Sequence, residues 1–164
     1  MIFLQTEPLY VVSIEEILWG AILMAITMTV HGFGMLTVLR VNYSVKRMTH
    51  SKKSLMAGLL PVIFATGLIL SVHLLEIFIW GLFFIWKGCF TNFSLSIYFS
   101  LNEYTTVGSK YNLPLQWRLL EGMISIAGLL SFAWSTGVLF TLAKEFQDHW
   151  IDSYKQRRQK KSSE

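Results

Sequence analysis

The chain is poor in cysteine, in charge and in proline. Its single cysteine, Cys89 of 164 residues, excludes an intrachain disulfide framework. Charged residues make up only 15% of the chain. None falls between Ile17 and Leu39, Glu76 stands alone in Leu55–Trp86, and Glu121 stands alone in Leu119–Ala143. No Walker loop, dinucleotide fingerprint or nucleophile elbow is present, so no enzyme is expected. No basic segment precedes the first apolar run, where Glu7 stands instead, so a cleaved signal peptide is not expected. What is abundant is apolar: 53% hydrophobic residues and a mean hydropathy of +0.48. Runs of about 18 or more residues with almost no charge read as membrane spans.

Three such runs are expected to be transmembrane helices. The first covers roughly 17–39, with His31 as its lone ionisable group and with Gly32 and Gly34 allowing a close helix neighbour. The second, 55–86, would be about 48 Å long as one helix, more than a hydrocarbon core of ~30 Å, so tilt or a kink near Pro61 is expected. The cluster Phe78, Trp80, Phe83, Phe84 and Trp86 reads as a lipid-facing belt. The third covers roughly 119–143, with Trp117 and Arg118 at its outer interface and Glu121 one turn on, spaced to pair with Arg118. Trp134, Ser135 and Thr136 lie deep in it, where packing is the expected role.

The charges then explain themselves. A basic loop at 40–54 (Arg40, Lys46, Arg47, Lys52, Lys53) and a tail at 144–164 hold 11 of the 14 basic residues. Three spans put both segments on one side, and the positive-inside rule makes that side cytoplasmic, with the N-terminus outside. The net charge of +4 thus reflects topology rather than a nucleic-acid partner. The lipid bilayer is the expected partner, and the tail suits anionic headgroups.

Between the second and third spans, 88–114 breaks the pattern. Gly88, Thr91 and Asn92 predict a turn, Phe93–Tyr104 a helix too short to cross a membrane, and 105–114 an irregular segment with Gly108, Asn112 and Pro114. Such backbone sits at membrane depth only where protein buries it or water meets it. The chain thus divides into an extra helix with its basic loop (1–54), a two-helix unit with a re-entrant segment (55–143) and a basic tail (144–164).

Tyr98–Gly108 reads Tyr-Phe-Ser-Leu-Asn-Glu-Tyr-Thr-Thr-Val-Gly. A short helix ending in Thr-Thr-Val-Gly between two spans resembles the pore helix and selectivity filter of potassium channels. His73-Leu-Leu-Glu76, Leu113-Pro-Leu-Gln-Trp-Arg-Leu-Leu120 and Trp134-Ser-Thr136 extend the resemblance to a bacterial subgroup with an extra N-terminal span, over roughly 70–140. The resemblance implies an all-α membrane protein with three transmembrane helices, a re-entrant pore helix and a filter-like loop, assembled as a homotetramer. It further implies that Thr105, Thr106, Val107 and Gly108 coordinate a monovalent cation, K+ or Na+, through backbone oxygens. The localisation it implies is the inner (plasma) membrane.

The chain departs from that family after Gly108. Where Gly-Tyr-Gly-Asp is typical, it has Gly108-Ser109-Lys110-Tyr111, and Lys110 takes the second glycine position. Lysine is disfavoured in a left-handed conformation by about 1 kcal/mol. Two such ammonium groups ~8 Å apart at an effective dielectric of ~20 repel by about 2 kcal/mol. Weak selectivity is therefore expected, with Glu103 as the partner that neutralises Lys110. The plain alternative is an outer turn on a helical bundle, in a non-conducting scaffold or regulatory subunit.

His31, His73 and Glu76 are a second candidate site. His73 and Glu76 share a helix face at i, i+3, and an ionisable group inside a bilayer costs about 3 kcal/mol unless it faces protein or water. Such a set suits a buried hydrogen bond fastening the extra span, a proton relay, or a divalent metal with His31 as third ligand, as a proton- or metal-coupled transporter would need.

Overall fold

The structure, a computed structural model, describes residues 10–49 and 55–162. The lead-in before Tyr10, the end of the basic loop with Lys52 and Lys53, and the last two residues lie outside the described residues. The described chain is helical: α1 Ile14–Thr49, α2 Leu55–Trp86, α3 Phe93–Tyr104, a 3₁₀ turn Leu115–Trp117, and α4 Leu119–Ser162. Among the described residues, three stretches are long and apolar enough to cross a membrane: Ile14–Arg47, Leu59–Trp86 and Leu115–Asp148. The chain is a multipass membrane protein.

Local chemistry sets the helix ends. Ser13 and Glu16 form a capping box at the start of α1: the Glu16 N–H donates to Ser13 Oγ and the Ser13 N–H to Glu16 Oε2, both at 3.1 Å. Acidic Glu15 and Glu16 open α1 and basic Lys46 and Arg47 close it, which suits the helix dipole. The segment 40–49, read above as loop, is therefore the end of α1. It contains no glycine or proline to stop the helix, and Lys46 pairs with Glu145 of α4. α2 runs through Pro61. Gly88 turns the chain at φ +70°, and Asn92 caps α3 by accepting the Leu95 N–H at 3.2 Å.

The chain divides into two compact units. The described residues of Met1–Ile26 and Ile77–Gly128 form one, and those of Thr27–Glu76 and Leu129–Glu164 form the other. In the first unit, Trp80, Phe84, Phe99, Tyr104, Leu120 and Ile124 make a core that holds α3. The belt expected at 78–86 is corrected here. Trp80, Phe83 and Phe84 are buried, and only Phe78 and Trp86 are exposed. Phe84 meets Phe99 of α3 edge-on at 5.5 Å, an aromatic geometry that stabilises beyond area alone. The Ser96 hydroxyl donates to the Gly81 carbonyl at 2.8 Å, tying α3 to α2. Half-buried Cys89 follows the turn, and burial pushes its thiol up to about 11. The core of the second unit is Met35, Val38, Ala65, Ile69 and Leu142. There the glycines of the first span do permit close approach: a Cβ at Gly34 would lie 2.6 Å from Val72.

Candidate functional site

The first unit carries the loop that follows α3. The loop begins as a helix cap. The Thr106 N–H donates to Glu103 O at 3.0 Å and the Val107 N–H to Asn102 O at 3.0 Å, the paired pattern of a Schellman motif. That motif needs a left-handed residue, and Thr106 takes it, at φ +61°. A β-branched residue there is a strained outlier, since glycine normally fills the position. Gly108 follows at φ +79°.

The cap turns every N–H of the tip inward. Thr105 N–H bonds Leu101 O, Gly108 N–H bonds Asn102 O, and Ser109 N–H bonds Glu103 Oε1 at 2.8 Å. Among the described residues, no hydrogen bond engages the carbonyl oxygens of 105–108. The polar surface of the backbone tip is thus oxygen alone, at the negative end of α3. Val107 at the tip is 75% exposed.

α4 holds this loop from behind. Ser125 Oγ donates to Glu103 O at 2.8 Å, and Glu121 Oε1 accepts the Leu113 N–H at 2.6 Å. Burial, together with the nearby Glu121 charge, raises the Glu103 carboxyl above the usual range, while the Ser109 N–H pulls it back. Two expected ion pairs are replaced. Glu103 holds Ser109 rather than Lys110, whose ammonium lies 5.1 Å from the Tyr111 ring centre. Glu121 holds the Leu113 backbone rather than Arg118, which is exposed. A main-chain N–H fixed nearby satisfies a carboxylate without ordering a long flexible cation. Trp117 is buried, with its ring 6.1 Å from Phe83 and 4.8 Å from the Lys87 ammonium. Trp19 and Trp86 complete a three-indole cage around Lys87, which also meets Glu15 at 3.3 Å.

No family model, curated protein or solved structure matches this chain. The chemistry of the two candidate sites therefore rests on their own geometry.

The second unit carries the buried ionisable cluster. His31 of α1 and Glu76 of α2 are fully buried, and His73 is 5% exposed. His31 Nδ1 lies 2.8 Å from Glu76 Oε1. The other carboxylate oxygen accepts the Ser131 hydroxyl at 3.0 Å. Ser135, one turn further along α4, sits between the imidazoles, with its Oγ 3.3 Å from His31 Nε2 and 3.0 Å from His73 Nε2. Phe132 stacks on His73 at 4.5 Å and Trp134 lies 5.5 Å from His31, which fixes both rings. One donor atom from each of His31, His73 and Glu76 lies within 4.8 Å of the others.

The sequence reading brought His31, His73 and Glu76 together and missed Ser131. Two serines at i, i+4, Ser131 and Ser135, were the available signal. It also missed Glu16, fully buried, which accepts Leu119 N–H at 3.1 Å as well as capping its own helix. The Ser13-x-x-Glu16 spacing announced the capping role.

Proposed function

We propose that this chain is the pore-forming subunit of an oligomeric cation channel of potassium-channel-like architecture. Copies, four as the family resemblance implies, bring the 105–108 tips together around a shared axis, with α3 as a re-entrant pore helix. One observation carries the reading: the tip has every N–H turned inward and its carbonyl oxygens unengaged. Rings of such oxygens replace the water shell of a monovalent cation, and an anion finds no backbone donor there. The strained angle at Thr106 fits a loop whose shape serves function rather than stability.

The basic segments 40–49 and 144–162 orient the protein with its C-terminus cytoplasmic and the tip outside. Lys110 takes the place of the second filter glycine. With Lys110 not paired to Glu103, its charge stays near the mouth and lowers both entry rate and selectivity.

Potassium and sodium flux into proteoliposomes tests the reading. We expect cation flux with little preference between the two ions. We also expect it to fall in Gly108→Ala, where a methyl meets nothing within 4 Å and only the backbone angle is strained. A folded oligomer that passes neither ion would overturn the pore reading in favour of a scaffold. Strong potassium preference would overturn the role given to Lys110.

A further inference from the structure

The buried cluster of the second unit asks for a cation independently of any pore. Glu76 is fully buried among apolar helices, and a carboxylate at that depth is stable only with a positive partner or a shared proton. Its two oxygens are held in different ways. Ser131 donates to Oε2, a bond that orients the carboxylate without neutralising it. His31 Nδ1 faces Oε1 at 2.8 Å, a separation that two lone pairs cannot tolerate, so one proton lies between them.

We propose that a transition-metal ion of the zinc class is bound by His31, His73 and Glu76. Two imidazole nitrogens and one carboxylate oxygen are a recognised three-ligand zinc set. Four features of the cluster fit it. The three donors lie within 4.8 Å of one another, whereas tetrahedral ligands at 2.0–2.2 Å stand roughly 3.3–3.6 Å apart. Closing that gap, and widening the 2.8 Å contact between His31 and Glu76, takes shifts of about 1 Å or less. The donors come from two helices, with His73 and Glu76 one turn apart on the same face of α2. Finally, Ser131 on Glu76 and the rings beside each imidazole supply the outer contacts that keep ligands aimed.

The binding step balances simply. A divalent ion enters and nitrogen and oxygen lone pairs form its bonds, while each neutral imidazole keeps its single N–H on the ring nitrogen that does not face the ion.

The test uses the full-length untagged protein in detergent, stripped with a chelator and titrated with Zn2+, and with Co2+ for its visible spectrum. We expect one ion per chain and a tetrahedral Co2+ band. Ser131→Ala should weaken binding 10–100-fold, and Glu76→Gln and His73→Ala should weaken it further. A double variant of the remaining histidines, His50→Ala with His149→Ala, should bind as the parent does. The parent protein alone decides if a ligand variant fails to fold: no Zn2+ uptake overturns the proposal. So does uptake lost in the His50/His149 variant and kept in His73→Ala. Flux assays do not enter, so this site and the pore reading stand or fall separately.

Discussion

The Tyr104 carbonyl oxygen occupies the space that a side chain at Gly128 would need. A Cβ built at 128 falls 1.9 Å from that oxygen and 2.9 Å from its carbonyl carbon. The C-terminal end of α3 is thus pressed backbone-first onto α4, and the loop starts from a fixed point. Gly128→Ala should destabilise the protein by at least the ~1–3 kcal/mol typical of overpacking, because backbone cannot swing away as a side chain does. Gly122, on the same helix, has nothing within 4 Å of its would-be Cβ. Gly122→Ala should be neutral or gain up to ~1 kcal/mol from helix propensity. Thermal unfolding in detergent of the two variants side by side checks the contrast.

Thr106 is the residue most out of place by type. Thr106→Gly removes the strain of a left-handed β-branched residue and should raise stability by about 1 kcal/mol. Thr105, at φ −86°, has no such strain to relieve. Thr105→Gly should lower stability, because it also loses the hydroxyl bond to Leu101 O at 2.8 Å. Equal shifts in unfolding midpoint for the two variants would contradict the assignment of strain to position 106.

Glu16 joins the starts of two helices. Its carboxylate accepts Ser13 N–H and Leu119 N–H, and the Tyr10 hydroxyl at 3.2 Å. Glu16→Ala removes three partly buried hydrogen bonds and should lose about 1–3 kcal/mol. Neighbouring Glu15 is 63% exposed in its pair with Lys87, so Glu15→Ala should change stability by at most ~1 kcal/mol.

The Glu103 carboxyl makes stability depend on pH. Its folded pKa is raised above the ordinary 4.5, chiefly by burial. Folding therefore favours the protonated acid. This contribution is complete below the ordinary value and fades as pH rises through the raised one. Against Glu103→Gln, which cannot ionise, the parent should lose unfolding temperature as pH climbs through that window. A parent-minus-variant difference that stays flat, or rises, would contradict the burial argument.

The bounds of α2 and α3 were readable because the residues around them are strong punctuation. Gly88 takes a positive φ and Asn92 accepts a helix N–H. α1 and α4 run past the expected spans because nothing in 40–49 or 144–162 stops a helix, and hydropathy marks where lipid should end, not where hydrogen bonding does. The aromatic run at 78–86 was misread because a uniformly apolar helix carries no stripe showing which side meets lipid. His31, His73 and Glu76 stood out as rare ionisable groups in apolar runs. Ser131 did not, since a small hydroxyl is unremarkable until a helix's rotation is known. The Thr-Thr-Val-Gly motif was plain, but not that Thr106 would fill a helix cap normally left to glycine.

The burial of Cys89 has a practical side. With its thiol pushed up to about 11, only about one molecule in ten thousand carries the thiolate at neutral pH. Thiol-directed labels will attach to it slowly. A cysteine introduced at exposed Val107 would react far sooner, so a fluorophore or spin probe can be placed at the loop tip without first removing the native sulfur.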